Sequence, residues 1–500
     1  MAAEHGVLRA ALDELGWNPR VLATEVNRWL VAHGHPERRV HATAPYPWVR
    51  QESVPRPPLP QAVAVLVSEA LGRIVTPAQL WPGRGLNDEA AVGAADLDGI
   101  GTVEDAVATL HELGGGGNVR RLVVASPATD VVAAVWAMTA AVTPEAASGS
   151  SHQYRTPLGE VLAAHVGRLV RLHSQYGGGR IVRRYVAAEL GNVIALIRSG
   201  ARQPALRRDA FVVAADLARL AGWTQFDADR RGLCQRYLLA SLRLHVALRL
   251  PTQTADTVGM LAYIAAVDGS GLEAVALANH ALREGRHGDP RLRARLHMRT
   301  ATAAAATGDE AAFRRAVMQA QELLTTHAPT ERPTAGPCGF DDDQAAAEIG
   351  HGLLLLARKT SRQRLYREAA QVLTSVCDNA VHTDQPPSVV LDAAYLAYAH
   401  LGLRDLDGAV AATRAMLRCL DRVQSLRCHR ELLGLRATLA RHARAEPVAG
   451  LLPELDAAVR DIDTTISRRR IGGRATPSQI AATASTGIRE VTPIVGGGRC

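Results

Sequence analysis

Side chains able to bond phosphates and base edges gather between residues 39 and 56: Arg39, His41, Thr43, Tyr46, Arg50 and Arg56. The donor fork of an arginine matches the O6 and N7 acceptors of guanine, so Arg50 can donate a bidentate pair to that base. Hydroxyl groups serve bases and phosphates alike, which suits Thr43 and Tyr46, and Arg56 can hold the sugar–phosphate backbone. No bond-breaking chemistry competes with this reading. Nucleophile elbows, Walker loops, His-Glu-x-x-His and dinucleotide fingerprints are missing from any suitable context, so neither an enzyme nor a bound cofactor is expected. The six cysteines form no Cys-x-x-Cys pair, and the 18 histidines are scattered. Cys419 and Cys428, nine apart, point to opposite sides of one expected helix. No metal site is therefore expected, and a reducing cytoplasm suits the chain better than a disulfide scaffold.

The elements that must position these groups are short helices. Val7, Leu8, Leu12 and Leu15 follow helical spacing up to Gly16. Asn18-Pro19 then reads as an N-cap and first turn, followed by an apolar stripe of Leu22, Val26 and Leu30. A basic connection, Arg38 to His41, leads to Thr43 as a second N-cap. A proline-rich hinge at 55–60 introduces an apolar helix over 61–71, and Thr76-Pro77 opens a last turn. The connection over 33–42 is longer than a usual helix-turn-helix turn, and Pro47 fits a helix only if that helix starts near Thr43. Trp48 is expected in the core.

The run from Trp48 to Trp81, WVRQESVPRPPLPQAVAVLVSEALGRIVTPAQLW, resembles the second half of Xre/Cro-type repressor DNA-binding domains. More narrowly, VLRAALDELGWNPRVLATEVNRWL with TAPYPWVR resembles actinobacterial regulators that join such a domain to tetratricopeptide-like repeats. The resemblance implies a recognition helix over Thr43 to Arg50 in the major groove, with Arg39 and His41 near phosphates. It also implies double-stranded DNA as partner, repressor-like control and a homodimer reading paired half-sites.

Beyond residue 82 the chain turns Gly- and Ala-rich. Residues 83–150 read as a linker carrying two short helices, Val103–Leu113 and about Val131–Val142, with Gly114 to Gly117 as spacer rather than phosphate cradle. The apolar stretch Leu122 to Val142 is interrupted by Pro127 and Asp130, so a buried helix is expected there and no membrane span.

A repeat follows over 151–466. Small residues recur at Gly222, Ala262, Ala301, Ala357, Ala397 and Ala437, and twelve residues later at Cys234, Ala274, Phe313, Ala369, Ala409 and Ala449. The steps are 40, 39, 56, 40 and 40, the long one containing a loop-like stretch between His327 and Asp343. Inter-helix turns are expected at Asp229, Gly269, Gly308, Arg364, Arg404 and Arg444, and residues 155–200 supply leading helices with a turn over Gln175–Arg180. Helical hairpins of this kind stack into a superhelix with an inner groove. The register places Trp223, Tyr263, Thr302, Arg358 and Tyr398 beside that groove as candidate contacts for a peptide, small molecule or protein effector, with ordinary core packing as the alternative role. The tail 467–500 opens with three arginines and is too polar to order.

The fold class expected is all-α, a helix-turn-helix domain (1–82) joined to a tetratricopeptide-like solenoid. An apolar fraction of 47% with only 4% aromatics agrees, since β-sandwiches need aromatic and β-branched strands. The net charge of +8 admits an anionic partner. Two functions fit: a sequence-specific transcriptional regulator whose repeats sense a ligand or dimerise, and an interaction scaffold without specific DNA binding. The second draws on the balance of residues 1–82, eight arginines against seven acids.

Overall fold

A computed structural model describes residues 7–32, 39–50, 53–55, 59–71, 75, 77–81, 91–92, 102–114, 123–124, 128–140, 154–200, 203–326, 340–379 and 385–468. Regular structure among them is helical, apart from a two-residue parallel pairing of β1 (Ala91–Val92) with β2 (Val123–Val124). The chain is all-α at this level.

Five helices form the N-terminal unit: α1 (Val7–Glu14), α2 (Pro19–Ala32), α3 (Pro45–Arg50), α4 (Leu59–Leu71) and α5 (Pro77–Leu80). Gly16 leaves the first helix with φ 64°, which glycine adopts without a Cβ clash. The Asn18 side chain accepts from the N–H groups of Arg20 and Val21, both at 3.0 Å, and so caps α2. Leu8, Leu12, Leu22, Val26, Leu30, Trp48, Val63 and Trp81 close into one core. Pro45 is the first residue of α3, so Pro47 lies in the first turn, where an N–H has no intrahelical acceptor to lose.

Within 83–150, the described helices are not free-standing spacers. These two, α6 (Val103–Gly114) and α7 (Ala128–Ala140), are built into the core of the repeat region. Thr102 and Asp105 cap α6 reciprocally: Asp105 N–H donates to Thr102 Oγ1 at 3.1 Å and Thr102 N–H to Asp105 Oδ2 at 2.9 Å. Leu110, Val131, Val135 and Met138 are then buried with Val186, Leu190 and Tyr237 of the repeats. Among the described residues no helix is long and apolar enough to cross a membrane.

Seven hairpins follow: α8 (Pro157–Tyr176) with α9 (Arg180–Arg198), α10 (Pro204–Asp227) with α11 (Arg231–Ala247), α12 (Pro251–Val267) with α13 (Gly271–Glu284), and α14 (Pro290–Thr307) with α15 (Glu310–Thr326). The remaining three are α16 (Asp342–Thr360) with α17 (Gln363–Asn379), α18 (Pro386–Gly402) with α19 (Leu406–Leu420), and α20 (Leu426–Leu439) with α21 (Glu446–Arg468). Each first helix from α12 to α16 packs on its hairpin mate and on the next first helix, the arrangement of a helical solenoid. Alanine makes this possible at α14, which gives Leu296 and Ala303 to one core and Met298, Ala301 and Ala305 to the next.

The small-residue register has a direct cause. A Cβ on Gly222 would stand 2.9 Å from Leu238 and 3.2 Å from the Cys234 carbonyl, where α10 and α11 cross. The turns repeat one backbone motif: Asp229, Gly269, Gly308 and Arg404 have φ of 55°, 91°, 85° and 62°. The following N–H bonds five residues back, as in Arg230 to Gln225 at 2.9 Å and Asp405 to His400 at 3.0 Å.

The register fails in two places. Arg364 lies inside α17, and the left-handed residue of that hairpin is Ser361, because α16 ends earlier than a uniform step requires. In the last hairpin Ala437 and Ala449 are exposed, while Gly434, Leu435 and Val448 are buried, and Arg444 has no left-handed φ. The loop expected up to Asp343 is shorter, since Asp341 caps α16 by accepting from Gln344 N–H at 2.9 Å. Cys419 and Cys428 stand on different helices, α19 and α20. The tail past Arg468 lies outside the described residues.

The end of the array returns to its beginning. Gln424 N–H donates to the Tyr176 carbonyl at 2.8 Å, α18 packs on α8, and a Cβ on Gly177 would touch Ser425 at 3.1 Å. The superhelix is closed by its own seventh hairpin.

Candidate nucleic-acid interface

The segment 39–50 is held from beneath and open above. Val40 and Trp48 are buried, each 8% exposed, and Pro45 is buried beside them. Arg39, His41, Thr43 and Arg50 are exposed, and Tyr46 is half-buried. The Asn27 side chain of α2 fixes this register: its Nδ2 donates to the Val40 carbonyl at 2.8 Å and its Oδ1 accepts from Val40 N–H at 2.8 Å. Arg39 and His41 leave on either side of that clamp.

His41 Nδ1 and Thr43 Oγ1 lie 2.8 Å apart, and the His41 carbonyl accepts from Ala44 N–H at 2.9 Å, so the turn before α3 is closed by its own side chains. Thr43 thus precedes α3 in the turn, its carbonyl accepting from Tyr46 N–H at 3.2 Å. Tyr46 and Arg50 are four apart on one face, with the guanidinium 5.4 Å from the ring centroid. Neither Arg39 nor Arg50 meets a carboxylate among the described residues. Arg56 lies outside them. The geometry therefore brings Arg39, His41, Thr43, Tyr46 and Arg50 together on one short stretch whose donors face water. Asn27 escaped the sequence reading. Its signal was faint, a lone amide inside an amphipathic helix.

In the repeats, the five residues assigned to the groove are not brought together as one row. Trp223 and Tyr263 are neighbours, 5.9 Å between ring centroids, and Phe226 stacks on Trp223 at 5.0 Å. The Arg358 guanidinium lies 4.4 Å from the centre of the Tyr398 ring. The Thr302 hydroxyl donates to the Met298 carbonyl of its own helix at 3.0 Å. Tyr263, Thr302 and Tyr398 are buried, and only Arg358 is exposed.

What occupies the space between hairpins is Arg427, 5% exposed. It donates to the Tyr263 hydroxyl at 2.8 Å and the Tyr395 hydroxyl at 3.3 Å, and lies 5.2 Å from the Phe226 ring centre. Burial works against its charge, yet the two tyrosines and the Asp227 carboxylate hold it above its ordinary value. Burial likewise pushes Asp227 up, but His173 at 2.9 Å, Arg427 and the Gly178 N–H at 3.1 Å outweigh it and hold the carboxyl low.

A chain of buried charges runs along the first helices. Asp216, Arg219, Arg295, Arg299, Glu348 and Asp392 are buried, with half-buried Asp256 among them, and a buried charge costs of order 3–5 kcal/mol when its partner is lost. Arg219 pairs with Asp216 at 3.6 Å and with Asp256, Arg295 with Asp256 at 3.4 Å, and Arg299 with Glu348 at 3.1 Å. His351 reaches Asp392 at 2.7 Å. The sequence did carry this signal, as charged residues inside helices otherwise apolar on every side.

Residues 8–81 match the family model described as the SP15 N-terminal domain. That span runs between Leu8 and Trp81, the two ends of the N-terminal core. It covers well under half of the 500 residues. No curated protein and no solved structure matches the chain.

Proposed function

We propose that the chain is a cytoplasmic, sequence-specific DNA-binding regulator of repressor-like action. The N-terminal unit carries the DNA contact, and the closed solenoid senses an effector or joins two copies. The observation that carries the reading is the segment 39–50, with Val40, Pro45 and Trp48 buried beneath exposed Arg39, His41, Thr43 and Arg50. Such a division suits a helix laid in a groove: apolar residues fix its orientation, and the polar row faces base edges and phosphates. Effector binding in the solenoid would act by shifting the relative placement of two N-terminal units across paired half-sites. No catalytic role, cofactor or metal enters this reading.

The test is selection of genomic fragments by the purified protein at two salt concentrations. A few sites sharing a motif at the higher salt support the reading. Arg50→Ala should then lower affinity for the motif by about 1–3 kcal/mol and relax its sequence preference. Uniform capture that vanishes with salt would sink it and favour the interaction scaffold, which the near-neutral balance of residues 1–82 supports.

A further inference from the structure

The positive charge of this protein is concentrated in one place. Residues 155–208 hold ten of its 57 cationic side chains but two of its 49 acids, so this stretch alone carries a net +8, the net charge of the whole chain. The remainder is balanced. The stretch is the α8–α9 hairpin and the start of α10.

Helix packing decides which residues of the hairpin meet water. α9 buries Val182, Val186, Leu190, Val193 and Ile194 in the core, and α8 packs on α10 and α18. Left outward are Arg168 and Arg171 on α8, one turn apart, and Arg180 and Arg184 on α9, also one turn apart. The helices are antiparallel neighbours joined by Gly177–Gly179, and all four arginines lie within about three turns of that junction. Tyr176, Ile181 and Tyr185, 47%, 55% and 61% exposed, belong to the same end of the hairpin. None of the four arginines meets a carboxylate among the described residues. Some exposed arginines elsewhere in the array are neutralised, since Arg314, Arg362 and Arg364 converge on Glu310 and Arg414 meets Glu454 at 2.9 Å, while others such as Arg315, Arg367 and Arg404 stand singly rather than as a cluster.

We propose that the glycine-turn end of the α8–α9 hairpin is a second polyanion contact, and that its occupant is the phosphate backbone of double-stranded DNA. The inference rests on the regulator reading, whose base-reading segment lies in a near-neutral unit and gains little affinity from charge alone. Four uncompensated guanidinium forks supply that sequence-independent attraction. A membrane surface fits less well, because the continuous apolar face of α9 is spent on the core and only the separate side chains of Tyr176, Ile181 and Tyr185 are left outward at this end. Tyr176, Ile181 and Tyr185 offer small apolar areas for sugar contact beside the charged groups.

The experiment uses the full chain, a random-sequence duplex of about 30 base pairs and fluorescence anisotropy across a salt series. Two variants are compared with it, R168Q/R171Q/R180Q/R184Q and R39Q/R50Q. Four released phosphates predict that the first variant lowers the slope of log affinity against log salt by about 3 to 4. The affinity lost between about 50 and about 200 mM salt then shrinks by roughly a hundredfold. The second variant should lower that slope by about 2 at most. Glutamine at four exposed positions leaves the fold intact, checked by circular dichroism. A slope for the four-site variant within one of the parent's would overturn the proposal. So would loss of binding to vesicles with about a third anionic lipid while duplex binding stays unchanged, which would assign the surface to lipid. Failure of the regulator reading is separate: a four-site slope change without any selected motif leaves this contact standing and removes only base reading.

Discussion

Replacing Asn27 with alanine removes two hydrogen bonds to one residue, and the consequences can be worked from their geometry. Both bonds to Val40 are 2.8 Å and partly buried, and Val40 itself is 8% exposed. Each bond contributes about 1 kcal/mol net, and a buried N–H or carbonyl left unpaired costs about 1–3 kcal/mol. Water reaches part of the gap, so a local loss of about 3 kcal/mol is the expected sum. Amide exchange at Val40, measured by NMR on the full chain, should accelerate by roughly a hundredfold, since about 1.4 kcal/mol is tenfold. Thr24→Ala is the control: its hydroxyl makes a single exposed bond to the Arg20 carbonyl at 3.1 Å, and exchange should change less than threefold. Exchange at Val40 within threefold of the parent in Asn27→Ala would refute the clamp. If the clamp stands and the proposed DNA contact is right, the same variant should weaken duplex binding although Asn27 is not among the side chains proposed to touch DNA.

Acidification should weaken the repeats through buried histidines. Burial, helped by Arg283, pulls His280 down to about 4 beside Thr139 and Trp136. Its unfolded counterpart titrates near 6.5, so the neutral folded form is fully favourable above that pH and loses ground as pH falls from about 6.5 towards about 4. The urea midpoint should drop over this window, and His280→Gln should flatten the drop; an unchanged profile would contradict the assignment. At Gly178 a Cβ would stand 2.6 Å from both the Asp227 side chain and the Thr224 carbonyl, so Gly178→Ala should cost about 1–3 kcal/mol in urea unfolding. Gly191, with nothing within 4 Å of its would-be Cβ, should gain up to about 1 kcal/mol as alanine. Equal effects at the two glycines would show that helix propensity, not crowding, decides them.

The hairpin period was readable because it reflects sterics that recur: Gly222 against Leu238, Gly308 in a left-handed turn. It became unreadable where sterics relax, as in the last hairpin, whose second helix packs on α19 and α20 without a further repeat after it among the described residues. Burial of α7 could be read from its apolar run, Leu122 to Val142, whereas that of α6 was hidden by composition, since a Gly/Ala-rich surround looks alike as spacer and as close-packed helix. In the segment 39–50 the buried tryptophan followed from residue type, but α3 begins at Pro45 rather than after Thr43, and the Asn27 clamp spans 13 positions and follows no periodicity. Groove residues were mislaid for a related reason. Helical offset predicts a side, whereas Arg427 arriving from 164 positions away decides what lies on that side.

Closure of the array also changes how such a chain is made. An open solenoid can settle unit by unit as it leaves the ribosome, because each repeat needs only the one before it. Here the Tyr263 hydroxyl, the Asp227 carboxylate and Asp229 wait for Arg427 and Arg430, the latter 2.9 Å from Asp229. Between 164 and 201 residues must be synthesised before those early groups meet these partners, about 8–40 s at ordinary elongation rates. Throughout that interval the nascent protein holds its early polar groups by near partners alone, His173 for Asp227 and Arg231 for Asp229, so the interior of the first repeats is completed only when the last hairpin arrives.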